Sequence, residues 1–263
     1  MKKICLSLMM FLAAGVASAQ VYERTPRTYD FELSDFAKRI TPVLSFNRNM
    51  HPAGWVWKEG RSSALVEKGK PTDFYEINKL SDIDESGEFQ DCATAWVEGV
   101  DGDGIGEWVI VPVGTFYDED VASKLVNHEI SENLKITLCV LNGYQQNVDL
   151  YKKNNRVKDA KISVYAAAYS CGQDDAYLLW NPDCIYEETI TLNDDIIRNP
   201  GCFNTTDHVF FVTLPEKYRN ESCELYLKFE IKSVYKGTKY SDTCISDMWA
   251  NLQEVEEGPV LSE

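Results

Sequence analysis

Residues 224–234 read Glu-Leu-Tyr-Leu-Lys-Phe-Glu-Ile-Lys-Ser-Val. Leu225, Leu227, Phe229 and Ile231 recur at every second position, with Lys228 and Glu230 between them and Lys232 just after. Successive side chains of a strand point to opposite faces, so this stretch predicts a half-buried antiparallel strand. Seven other short runs, 63–66, 107–113, 135–141, 161–168, 187–192, 208–214 and 243–252, share its enrichment in Val, Ile, Phe, Tyr and Trp. One helix is expected to interrupt them, around 119–127. Eight short strands within residues 61–252 predict an all-β fold, a β-sandwich or jelly roll.

The segments outside that region read differently. Lys2 and Lys3 precede an apolar run, 4–16, and Ala17-Ser18-Ala19 forms a small-residue cleavage site. Residues 1–19 are thus expected to be a signal peptide of bacterial type, leaving Gln20 first and placing the chain in the periplasm or outside the cell. Residues 20–58 form a mostly irregular lead-in. A short helix is expected within 30–40 (DFELSDFAKRI), starting at Ser34 with Phe36 and Ile40 on one face, and Pro42, Pro52 and Gly54 prevent a long one. The sandwich is expected over 59–253, and 254–263 is an acidic, frayed tail.

The 263 residues are 44% hydrophobic and 26% charged, which excludes general disorder and collagen-like structure. Lys and Arg total 26 against 42 Asp and Glu, a net charge of -16. Cleavage removes two lysines, no acid and one cysteine, leaving 244 residues, seven cysteines and a charge of -18. So acidic a surface repels phosphate backbones, so no nucleic-acid partner is expected. No later run of about 18 apolar residues exists, so no membrane span is expected.

Three motifs carry the most information. They are 94–108 (TAWVEGVDGDGIGEW), Leu141-Asn-Gly-Tyr144 followed by Leu150-Tyr151 and Asn154-Asn-Arg-Val-Lys158, and 234–247 (VYKGTKYSDTCISD). In this order they resemble the NADase-type glycan-binding domain, a member of the discoidin-like, galactose-binding-like jelly rolls. That family also occurs joined to a secreted bacterial NAD glycohydrolase, where it is linked to translocation of the toxin. The resemblance covers about Arg61 to Leu252. It implies a two-sheet sandwich whose ligand site, where one exists, is made by loops at one end, and it implies a glycan or glycoconjugate as partner.

The residues suggest how such a site would work. Trp96 and Trp108 adjoin apolar strand residues and are expected as core anchors. Glu98, at a strand end, is expected either to accept sugar hydroxyls or to fix its loop by a salt bridge with Arg156. Residues 145–158 read as a long, polar loop that is basic for this chain, with Lys152, Lys153, Arg156 and Lys158. If Lys236 and Lys239 are its neighbours, as the resemblance suggests, they join Tyr144, Tyr151, Tyr235 and Tyr240 in an aromatic and basic rim. Aromatic faces hold sugar C–H surfaces, and the amide of Asn155 or the guanidinium of Arg156 holds hydroxyls. The alternative for each residue is a solvated loop with packed tyrosines.

The resemblance also implies a possible structural calcium between the first loop and the last strand, near Asp91, Thr94 and Asp247. Asp91-Cys-Ala-Thr94-Ala-Trp96 keeps the end of the usual first-loop pattern, but Phe89 and Gln90 replace its opening Asp-Gly. Asp82-x-Asp84-x-Ser86-Gly87 has the front half of a calcium loop, with Ala93 where the last ligand belongs. Asp101-Gly-Asp103-Gly-Ile105 fails at Ile105. The alternative is acidic surface turns, and no cofactor is required. If the first loop and last strand adjoin, Cys92 and Cys244 would pair. Cys171, Cys184, Cys202 and Cys223 allow three pairings, with Cys171–Cys184 and Cys202–Cys223 preferred as sequence-local. Cys139 is left as a buried free thiol.

Chemistry for an enzyme is harder to find. Three histidines, His51, His128 and His208, lie far from any recognised nucleophile motif, and there is no Gly-x-Ser-x-Gly, His-Glu-x-x-His or phosphate-binding glycine loop. The expectation is a non-catalytic, lectin-like module without NADase activity. A protein-interaction or structural envelope domain is the alternative, and a hydrolase the third.

Overall fold

The computed structural model describes residues 60–81, 93–115, 133–171, 177–196, 202–218 and 223–253. The expected signal segment and lead-in, the helix expected at 119–127, the acidic run 82–87, Asp91, Cys92 and the tail lie outside them.

Eight strands are formed: β1 (Trp96–Val97), β2 (Trp108–Thr115), β3 (Asn133–Asn142), β4 (Asn155–Cys171), β5 (Tyr177–Thr191), β6 (Thr206–Thr213), β7 (Cys223–Tyr235) and β8 (Thr243–Gln253). They follow the path β2-β7-β4-β8-β3-β6, with β1 on β8 and β5 on β4. Every pairing is antiparallel except β4 with β8, a two-residue contact of Asn155 with Thr243 and Arg156 with Cys244. That contact divides the strands into two layers of four, and the main hydrophobic core draws on both. Val111, Ile162, Val164 and Leu227 come from one layer, and Ile136, Leu138, Val212 and Ile245 from the other. This is the expected all-β jelly roll.

The stretch 224–234 forms most of β7, between β2 and β4. Leu225, Leu227, Phe229 and Ile231 are buried in the core, while Lys228, Glu230 and Lys232 turn outward. Trp96 is fully buried and its Nε1 donates to Ser63 O at 3.0 Å. Trp108 departs from expectation. Its neighbour Val109 takes the core, so Trp108 faces outward, half-buried, with Lys228 Nζ 5.4 Å from its ring.

Residues 63–66 are not a strand. The chain bridges β2 through Arg61 and Val109, then crosses to β1, where Leu65 N donates to Val97 O at 2.9 Å. Arg61 and the buried Glu76 clamp this crossing through two hydrogen bonds of 2.5 and 2.6 Å. The expected basic loop is also shorter than the sequence suggests. Residues Val148–Lys153 form a short helix, α1, capped by Asn147, and β4 starts immediately after, at Asn155.

The cysteines correct the disulfide expectations. In the β4–β5 ladder Cys171 stands opposite Tyr177, and Cys184 opposite Tyr165. Six residues of strand therefore separate them, about 20 Å, far beyond the reach of a disulfide. Cys184 is an exposed free thiol. Cys202 is also a free thiol, near Thr205 Oγ1, so Cys202–Cys223 is not formed. Cys244 is a fully buried free thiol packed with Ala95, Val97 and Tyr144, its Sγ directed at Asp242 O, so it makes no bridge to Cys92. Cys139 is the expected buried free thiol. Leu138 and Val140 take the core side of β3, so Cys139 lies on the other face, where burial and Asp207 push its pKa up.

Candidate functional site

Because neighbouring strands run antiparallel, four connections emerge at one end of the sandwich: β1–β2, β3–β4, β5–β6 and β7–β8. Polar side chains, several of them buried, tie these loops to one another. Asn155, at the first position of β4, is the centre of one set. Its Nδ2 donates to Asp103 Oδ1 (3.1 Å) and Ser241 O (2.6 Å), and its Oδ1 accepts from Gly237 N (2.7 Å). Asp103 also pairs with Lys236, and its carbonyl accepts from Thr243 Oγ1 at 2.7 Å. The Lys236 partnership is the main reason the Asp103 pKa lies below the usual carboxylate value.

Arg156 is the centre of the next set. Its guanidinium grips Asp194 with Nε–Oδ1 at 2.6 Å and Nη2–Oδ2 at 2.9 Å. Nη1 donates to the carbonyls of Tyr151 (3.2 Å) and Asn154 (2.9 Å), and the group lies 5.0 Å from the Tyr151 ring centre. Tyr151 OH completes the group by donating to Asp194 Oδ1 at 3.1 Å. Gln145 extends the network to the β5–β6 connection. It donates to Asn142 O and Asn204 O and accepts from the Phe203 and Asn204 amides.

Glu98 is completely buried. Val100 N donates to Oε2 at 2.9 Å and Thr243 N to Oε1 at 3.1 Å, so the carboxylate joins the β1–β2 loop to the start of β8. Burial raises its pKa to about 7, against the lowering effect of those two amides.

Residues 53–251 match the model of the NAD glycohydrolase translocation F5/8 type C domain. The chain belongs to this family. F5/8 type C domains are discoidin-like, in agreement with the sandwich. None of the curated proteins matches the chain.

Within this F5/8 type C domain the residues expected to hold a sugar fall into two groups. Glu98, Tyr151, Asn155 and Arg156 are buried and occupied by internal hydrogen bonds. Glu98 fixes its loop, but through backbone amides, while Arg156 takes Asp194 as its carboxylate. Tyr144 is also buried, edge-on to Tyr75 at 6.4 Å. Lys236 is exposed and paired with Asp103, and Tyr240 is exposed with Lys239 Nζ 4.7 Å from its ring centre.

The calcium expectation rests on Asp91, outside the described residues, and on Thr94 and Asp247. The β1–β8 register, Trp96 with Ile245, would set Thr94 opposite Asp247 if continued two residues further. Thr94 Oγ1 instead reaches Lys79 O at 3.5 Å, and Asp247 Oδ1 accepts from Met248 N at 2.7 Å. Among the described residues no three His, Cys, Asp or Glu side chains group as metal ligands, and no helix is long and apolar enough to cross a membrane.

Asp194, Gln145 and Asn204 are network members that the sequence did not point to, and Asp103 and Asn142 were noted only within their motifs. Asn142 had a local signal, since it opens the Asn-Gly pair, and its side chain spans both ways to the Val157 backbone at 2.7 and 2.9 Å. Asp194 and Asn204 lie in a stretch with no motif, and only the fold brings them near.

Proposed function

We propose that this is an exported, non-catalytic discoidin-like module that binds a glycan at the loop end, with no cofactor required. One observation carries the reading: at an end whose loops are locked by buried hydrogen bonds, Tyr240 leaves its ring exposed, with Lys239 over it. A rigid scaffold that displays an aromatic face and polar donors lowers the ordering cost of binding a flexible saccharide. Residence in the periplasm or outside the cell is supported by the expected signal segment, and family membership is in keeping with export.

The test is a broad glycan array probed with the whole protein and with Tyr240→Ala. Binding that weakens at least about tenfold in the variant, a loss of about 1.4 kcal/mol, supports the reading; a silent array refutes it. Incubation with NAD and with chromogenic glycosides is expected to give no turnover. A second reading, a protein-interaction domain of the envelope, is favoured by Val209 and Phe211, 48% and 57% exposed on β6. Capture of an envelope protein that added sugars do not displace, and that Phe211→Ser abolishes, would support it instead.

A further inference from the structure

We infer that the loop end selects acidic glycans, sugars bearing carboxylate or sulfate groups, through Lys152, Lys153, Lys239 and Tyr240. The inference rests on the glycan reading above and narrows it. Two loops distant in sequence are stitched together here. Thr238 N donates to Lys152 O at 2.9 Å, and the Lys239 and Tyr240 amides donate to Lys153 O at 3.1 and 2.8 Å. Gly237 lies directly on the Lys153 carbonyl, where a β-carbon would collide with backbone, so the approach demands glycine. Three lysines and an exposed tyrosine ring thus become neighbours.

Two of the acids nearby are occupied. Asp149 pairs with Lys153 one helical turn away, and Asp103 is held by Lys236 and Asn155. Lys152 and Lys239 are exposed and meet no carboxylate among the described residues. In a chain with 42 acids and 26 bases, chance would supply carboxylates to such lysines readily. An ammonium group offers three donors, and its hydrogen bonds to an ionised oxygen are stronger than those to a neutral hydroxyl. The Tyr240 face suits the C–H surface of a pyranose, and Lys239 beside that ring suits an anionic substituent on it. The Lys153–Asp149 pair is exposed and weak enough to re-form around a ligand anion. The acidic body repels extended polyanions, so the patch favours short anionic groups on a sugar over nucleic acid.

The experiment uses matched short probes that differ only in the charged group: digalacturonate and its methyl ester, sialyllactose and its methyl ester, and a monosulfated galactose disaccharide and its desulfated form. Polyglutamate serves as a sugar-free anion. Binding to the whole protein is measured at low and high salt, with Lys152→Ala/Lys239→Ala, with Lys239→Glu and, at the opposite end, with Lys217→Ala. Acidic members are expected to bind at least about tenfold tighter than their partners, an advantage that shrinks as salt screens the charges. The double variant should erase the advantage and Lys239→Glu should reverse it, with melting temperature and Lys217→Ala unchanged. Equal binding within pairs overturns this inference while the glycan reading stands. Binding to polyglutamate as tight as to the acidic sugars, or no binding to any probe across the wider array, overturns both.

Discussion

Changing Arg156 to Ala separates a scaffolding residue from a ligand-binding one. The side chain is 9% exposed and makes two bonds to Asp194, two to backbone carbonyls and a contact with the Tyr151 ring. Breaking a buried pair by removing one partner costs about 3–5 kcal/mol, because the other charge is left uncompensated. Asp194 is 32% exposed, so water recovers part of that penalty, which places the loss near the lower end, about 3 kcal/mol. For a domain of this size that lowers the melting temperature by roughly 6–12 °C. Arg156→Lys keeps the charge but not the fork, and should fall between. Asp194→Ala combined with Arg156→Ala should cost less than the sum of the single changes, by about 1–3 kcal/mol, because the pair is lost once. Circular dichroism melts of the parent and the four variants measure this directly. A melting temperature within about 1 °C of the parent for Arg156→Ala, accompanied by lost glycan binding, would refute the reasoning and return Arg156 to the ligand site.

Glu98 should give the fold a pH dependence of definite sign. Its folded pKa, about 7, lies above the ordinary 4.5 because of burial, so the folded state holds more protons between those values. The contribution to stability is complete below about 4.5 and is lost as pH rises through about 7. Melting temperature should therefore fall between about pH 5 and 8, and Glu98→Gln should flatten that slope; an unchanged slope in the variant would assign it to other groups. Gly143 has φ +80°, and an added β-carbon would lie 2.6 Å from Arg156 Cγ and 2.8 Å from Tyr151 Cε2. Gly143→Ala should cost about 1–3 kcal/mol in a denaturant titration, and a neutral result would mean the β3–β4 turn relaxes freely. In thiol labelling of the native protein Cys184 should react well before Cys139 and Cys244, which need unfolding for access. Rapid native labelling of Cys244 would contradict its place in the packed group with Tyr144.

The legible part of the fold was the part governed by period. β7 could be read outright, because Leu225, Leu227, Phe229 and Ile231 fall at every second position, with Lys228 and Glu230 between the later ones. The bounds of β4 and β5 could not, since the hairpin between them is set by pairing along Asp159–Cys171 rather than by any local pattern. β1 is absent from the expected runs, although Glu98 was placed at a strand end, because two residues carry no period; 63–66 looked like a strand from its apolar residues, but in the fold they meet Trp96 and Val97 without forming a ladder. Cysteine pairing failed for a related reason. Nearness in sequence says little once both residues sit in extended strands, where each position adds about 3.3 Å.

The candidate site was legible in place but not in role. The three motifs do meet at one end, through Asp103 with Asn155, Lys236 with Asp103, and Thr243 with Glu98. Sequence offered Arg156, Asn155 and Glu98 as sugar ligands because their chemistry suits hydroxyls. The same chemistry suits orphaned backbone amides and carbonyls in loops that fold inward, and a buried polar group left unpaired costs about 1–3 kcal/mol. Loops that need rigidity therefore claim forked and bidentate side chains first, as Arg156 and Asn155 show. What remains for an outside partner are groups the scaffold leaves unused, and among the described residues at this end those include the Lys152 and Lys239 ammonium groups and the Tyr240 ring. Lysine is the residue least suited to a buried brace, being strongly hydrated, flexible and unable to form a fork. Its presence beside Tyr240, on a body with so large an excess of acid, is the reason, if the proposed glycan binding holds, to test the charge of the ligand before its sugar identity.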